Sequence, residues 1–145
     1  RGRNVLYEYE VLGDDKRNLT SITYPNGNKS SIYYKINTSL VEKVTASDGA
    51  YITVQYTNKK PERVEAISFY GNKNELNTSY TFYYHHNATT ITSNTGDKVT
   101  YQFNSAGQTV GVVNQITKQA QYFEYGAPGI QNGIHPILDF IYLAR

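Results

Sequence analysis

Short runs of alternating apolar and polar residues recur along most of the chain, each closed by an aromatic ring and separated from the next by a glycine- or asparagine-bearing turn. Between closing aromatics the chain divides into Tyr9 to Tyr34, Tyr34 to Tyr56, Tyr56 to Tyr84, Tyr84 to Phe103 and Phe103 to Tyr125, in steps of 25, 22, 28, 19 and 22 residues. Self-similarity at such a period marks an array of supersecondary units, none of which can bury an apolar face alone. The first unit is the clearest: Leu19 to Tyr24, the turn Pro25-Asn26-Gly27-Asn28, then Ser31 to Tyr34. Asn-Gly between alternating runs is a strong hairpin signal and predicts a type I′ turn with positive φ at Gly27.

The second unit repeats the design as Val41 to Ala46, Ser47-Asp48-Gly49 and Tyr51 to Tyr56, and the fourth as Thr89 to Thr92, a turn at 94–97, and Val99 to Phe103. The third, Val64 to Tyr70 followed by Tyr80 to Tyr84, carries a longer polar connection at Gly71 to Thr78. Gly27, Gly49 and Gly71 fall 22 residues apart and are the expected turn glycines. In the fifth unit Thr109 to Val113 leads through a turn at 114–118 to Ala120 to Tyr125. Beyond it the pattern stops at Gly126-Ala127-Pro128-Gly129 and Asn132-Gly133, so residues 126–145 read as a C-terminal tail or the start of a further unit. The repeat region is 1–125.

Composition agrees with strands. Val, Ile, Thr, Tyr and Phe supply 56 of the 145 residues, against 15 for Ala and Leu together. The expected fold is all-β, an antiparallel meander of about five β-hairpin repeats forming a twisted sheet. The period of two places Ile22, Tyr24, Ile32, Tyr34, Ile52, Val54, Tyr56, Tyr80, Phe82, Tyr84, Val99, Tyr101 and Phe103 on one face. The opposite face carries Ser21, Thr23, Thr53, Gln55, Thr81, Thr100 and Gln102, with Tyr33, Tyr51 and Tyr83 among them.

Tyr7-Glu8-Tyr9, the run Asn18-Leu19-Thr20-Ser21-Ile22-Thr23-Tyr24-Pro25-Asn26-Gly27 and Ile32-Tyr33-Tyr34 resemble the RHS/YD repeat. Ser47-Asp48-Gly49 with Tyr56, and Thr90 to Phe103 with Asn104-Ser105-Ala106-Gly107-Gln108, look like further copies. The resemblance, over roughly residues 5 to 125, implies a repeat segment of a large wall-associated or secreted bacterial protein whose sheet contributes to a hollow shell. No Asp-Pro-x-Gly type element is present, so neither self-cleavage nor a toxin cargo is expected.

Charge and chemistry narrow the function classes. Fourteen basic and twelve acidic residues leave a net charge of +2, which argues against nucleic acid as a partner. No stretch reaches the roughly 18 consecutive apolar residues of a spanning helix, so no membrane insertion is expected, and the start without Met reads as an excised or processed piece. With no cysteine, disulfides, thiolate metal sites and a cysteine nucleophile are excluded. His85 and His86 stand at a strand end, where adjacent side chains point to opposite faces and do not share a metal. His135, before Pro136, reads as a loop residue, and no Gly-x-Ser-x-Gly element accompanies it. Glu8 and Glu10 lie about 7 Å apart along one strand face and read as a solvated edge. Five Asn-x-Ser/Thr sequons occur, at Asn18, Asn28, Asn37, Asn77 and Asn87, glycosylation sites if the host is eukaryotic.

No catalytic residue, metal ligand or cofactor is therefore expected. The expected role is a non-enzymatic structural segment of an extracellular or cell-surface protein, with neighbouring repeats of the parent as partners. The alternative is a carbohydrate-binding β module that takes polysaccharide on Tyr33, Tyr51 and Tyr83, since exposed rings among Asn, Gln and Thr stack on sugars.

Overall fold

The computed structural model describes residues 3–126 and 130–131. All regular structure among them is β: β1 (Leu6–Val11), β2 (Arg17–Thr23), β3 (Lys29–Tyr34), β4 (Val41–Thr45), β5 (Tyr51–Tyr56), β6 (Val64–Tyr70), β7 (Leu76–His85), β8 (Ala88–Ser93), β9 (Lys98–Phe103), β10 (Thr109–Asn114), β11 (Ala120–Tyr122), β12 (Tyr125–Gly126) and β13 (Ile130–Gln131). The first eleven follow one another in sheet order as in sequence, the antiparallel meander expected, and β12 pairs with β13. The rest of the 126–145 segment, His135 included, lies outside the described residues. The chain forms two compact units, Arg1–Gln55 with Ile67–Ser79 and Tyr56–Ala66 with Tyr80–Arg145.

Register fixes the faces in each unit. In the first, Ile32 opposes Val44, which opposes Ile52, so these β-branched side chains share one face. Glu8, Ser21, Ser31, Thr45 and Tyr51 follow one another across the other face, and Tyr33, Lys43 and Thr53 form a parallel row beside them. In the second unit Phe82 opposes Ile91 and Ile91 opposes Val99, while Thr89 opposes Tyr101 and Tyr101 opposes Val112. Phe82, Tyr101 and Phe103 are buried there, with Ile91, Val99 and Val112 packed against the last two. Fully burying a ring of that size contributes about 1.5–3 kcal/mol.

The hairpin turns differ from the type I′ geometry expected. At the first, the Tyr24 amide donates to the Asn28 carbonyl and the Gly27 amide to the Tyr24 carbonyl. Gly27 has φ of 86°, and Asn26 is not among the residues of positive φ. This is a type I turn closed by one left-handed residue, a G1 bulge, instead of two left-handed residues in succession. The same pair of bonds recurs at Ala46, Gly71, Ser93 and Asn104, with the left-handed position taken by Gly49, Asn74, Gly96 and Gly107. Gly71 is thus not the left-handed residue of its turn. It occupies the first position of its turn, where the others carry Tyr, Ala, Ser or Asn, and Asn74 takes the left-handed conformation that asparagine tolerates.

Candidate functional site

The closing tyrosines do something no local pattern shows. The Tyr34 hydroxyl donates to the Leu19 carbonyl at 2.7 Å, the Tyr84 hydroxyl to the Val64 carbonyl at 2.6 Å, and the Tyr125 hydroxyl to the Thr109 carbonyl. Tyr9 opposes Leu19, and the register then skips Thr20; Phe103 opposes Thr109, and the register then skips Val110. A bulge leaves its extra residue unpaired and disrupts the ladder. Tyr34 and Tyr125 therefore reach back, within their own units, to the carbonyl at the bulge opposite the aromatic that closes the unit before. Where the closing residue is Phe103, without a hydroxyl, the pairing of β7 with β8 runs through Tyr84 opposite Thr89 with no bulge. Burial holds the Tyr34 and Tyr84 hydroxyls above the ordinary tyrosine value, with the Glu10 carboxylate adding to the effect at Tyr34 and Arg63 opposing it at Tyr84.

The polar face of the first unit carries two of the three tyrosines expected to stack on sugars. Tyr33 is 54% exposed and directly opposes Lys43. Tyr51 is enclosed: its ring stacks on Tyr70 with centroids 4.7 Å apart and planes 12° from parallel, and the Lys43 ammonium stands 4.4 Å from its centroid. Because Lys43 reaches it from β4 and Tyr70 from β6, on opposite sides of β5, Tyr51 offers a ligand its edge instead of a free ring face. Tyr83, in the second unit, is 53% exposed and opposes buried Thr90. Tyr70 could not be found from sequence, since only the pairing of β5 with β6 brings it to Tyr51.

Glu8 and Glu10 are exposed on β1, the solvated strand edge expected, and each is also hydrogen-bonded. Glu8 accepts hydrogen bonds from the Ser21 hydroxyl and the Lys29 ammonium, and those bonds hold its carboxyl below the ordinary value. Glu10 accepts from the Asn18 amide at 3.1 Å, while the same amide donates to the Thr38 carbonyl at 2.8 Å. Asn18 is 4% exposed, so that sequon is closed to modification in the folded chain, and Asn37 and Asn87 occupy left-handed turn positions. Part of the sequon excess is thus explained by backbone conformation and side-chain hydrogen bonding.

The histidines depart from expectation in placement. His85 closes β7 opposite Ala88, whereas His86 lies in the turn, and both line one cleft of the second unit with Arg63, Thr89, Phe103 and Ser105. Thr90 Oγ1 stands 3.3 Å from His85 Nε2 and 2.8 Å from Thr100 Oγ1. Among the described residues no group of three His, Cys, Asp or Glu side chains is disposed to hold a metal ion, and no helix is long and apolar enough to cross a membrane. No protein-family model matches the chain, and no curated protein matches it.

Proposed function

We propose that the chain is a non-enzymatic structural repeat segment of a large extracellular or cell-surface protein resembling the RHS/YD-repeat family, forming part of a β-sheet shell or scaffold. The observation that supports this reading is that three of the hairpin units are closed by the same device, a hydroxyl-to-carbonyl bond from the tyrosine that ends the unit to its first strand. A closing device that recurs from unit to unit marks one supersecondary design used repeatedly, as in a repeat array. At the start of the order, β1 is paired on one side only and every residue in it is exposed, Tyr9 included. An exposed edge of this kind accepts a further strand, here the preceding repeat of the parent. Small-angle scattering tests the reading. A folded monomer whose radius of gyration clearly exceeds the roughly 15 Å of a compact chain of this length is the expected result. A value near that figure would overturn it.

A second reading, a carbohydrate-binding module, is favoured by the open rings of Tyr33 and Tyr83. It requires saturable binding to a polysaccharide that Tyr33→Ala or Tyr83→Ala abolishes while the fold is kept. Binding unaffected by either change would remove this reading.

A further inference from the structure

We propose that the cleft at the turn end of the second unit binds the acid group of a uronic-acid-type saccharide. The cleft, open to solvent, offers about 570 Å³, within the ~300–1,000 Å³ that small-ligand sites occupy. Its floor is the buried group Thr89, Phe103 and Gly107, and its rim carries Arg63, His86 and Ser105. No carboxylate lines it among the described residues, so the guanidinium sets the sign of the site. A site of this composition selects an anion, and the placement of Arg63 argues that the selection is built in.

Arg63 closes the loop between β5 and β6. The Thr57 amide donates to the Arg63 carbonyl at 2.8 Å, and the Arg63 amide donates to Thr57 Oγ1 at 3.1 Å. Its guanidinium carbon stands 5.1 Å from the centroid of the Tyr84 ring, a cation–π contact, and that ring is fixed by its own hydroxyl on the Val64 carbonyl. The charge is thus positioned before any ligand arrives, and a planar guanidinium matches a carboxylate in bidentate geometry.

The neighbouring donors suit the body of a sugar. The side chains of His86 and Ser105 have no protein partner among the described residues, and a neutral imidazole offers one donor and one acceptor. Asn104, by contrast, is consumed by its own turn: its amide donates to Gln108 Oε1, and its Oδ1 accepts from the Gln108 amide, both at 2.9 Å. A bare oxyanion would fill a small part of the cleft and leave His86 and Ser105 without partners. A pyranose carrying a carboxylate places its acid at Arg63 and its hydroxyls at those two side chains. This inference is independent of the scaffold reading and of the exposed tyrosines.

The test is an NMR-monitored titration of the intact chain with glucuronate, with glucose as the neutral analogue and inorganic phosphate as the bare anion. Saturable shifts at the amides of His86 and Ser105 with glucuronate, and none with glucose, are expected. Arg63→Gln should weaken binding roughly tenfold to a hundredfold, the equivalent of one charge-assisted hydrogen bond. Arg63→Lys, which keeps the charge without the fork, should weaken it less. Equal affinity for phosphate and glucuronate would reduce the site to a simple oxyanion site and overturn the saccharide assignment. Absence of binding, glucose binding as well as glucuronate, or Arg63→Gln and Arg63→Lys behaving alike would overturn the proposal itself.

Discussion

Replacing Tyr84 by Phe isolates one of the unit-closing bonds, because the ring and its contact with Arg63 are retained and only the hydroxyl that donates to the Val64 carbonyl is lost. A neutral hydrogen bond contributes about 0.5–1.5 kcal/mol net, and leaving a desolvated acceptor without its partner costs about 1–3 kcal/mol. Burial already raises the hydroxyl's pKa, so the bond lies in a partly water-excluded setting and the upper part of the net range applies. The expected loss is therefore ~1–2 kcal/mol by urea denaturation, or roughly 2–4 °C in Tm for each kcal/mol in a chain of this size. Tyr33→Phe is the matched control, since the Tyr33 side chain is exposed and its hydroxyl makes no hydrogen bond among the described residues. It should shift stability by less than about 0.5 kcal/mol. If the two variants lose equal stability, the hydroxyl-to-carbonyl bond contributes nothing specific and the closure of the hairpin must be sought in backbone pairing alone.

Phe103→Tyr runs the same logic in reverse. Phe103 is 8% exposed and follows a pairing that has no bulge, so an added hydroxyl must be fitted into a packed, buried setting, and a loss of about 1–3 kcal/mol on denaturation is expected. Gly27→Val places a β-branched residue at φ of 86°, where open space surrounds the new Cβ but the backbone is strained, and should cost about 1–2 kcal/mol; an unchanged Tm would disprove the G1-bulge geometry. Tyr34, Tyr84 and Tyr101 all have pKa values raised above 10.0, chiefly by burial. Their neutral forms are favoured in the fold, so their contribution is complete below the unfolded value of 10.0 and is lost as pH rises through the raised folded values. Spectrophotometric titration should show these tyrosines ionising late and alongside loss of structure, whereas ordinary ionisation of every tyrosine would contradict the assigned burial.

The faces were legible in the sequence because a strand's period is two and needs no tertiary information: Ile32 and Ile52, or Phe82 and Val99, are assigned to one side, and the register agrees, placing Val44 and Ile91 between them. The turns were legible as places but not as conformations. Asn26-Gly27 fits either a type I′ turn or a type I turn with a G1 bulge, and the choice depends on which residues pair across the hairpin. The equal spacing of Gly71 with Gly27 and Gly49 hid an insertion that moved the left-handed position to Asn74. The enclosure of Tyr51 and the convergence of Arg63 with His86 depend on neighbours from other strands and loops, which one-dimensional pattern does not carry.

Sheets built from alternating sequences have one error that burial does not punish. A slip of one residue turns every apolar side chain to the wrong face, but a slip of two leaves the faces intact and alters only which residues are opposed. The bonds from Tyr34, Tyr84 and Tyr125 penalise that second error, because such a slip carries each hydroxyl about 7 Å from its carbonyl, beyond reach. The tyrosines thereby act as a proofreading element for strand alignment. The hairpin pair entered through Phe103 has no such check, and misaligned pairing during folding should concentrate at the junction of β8 with β9.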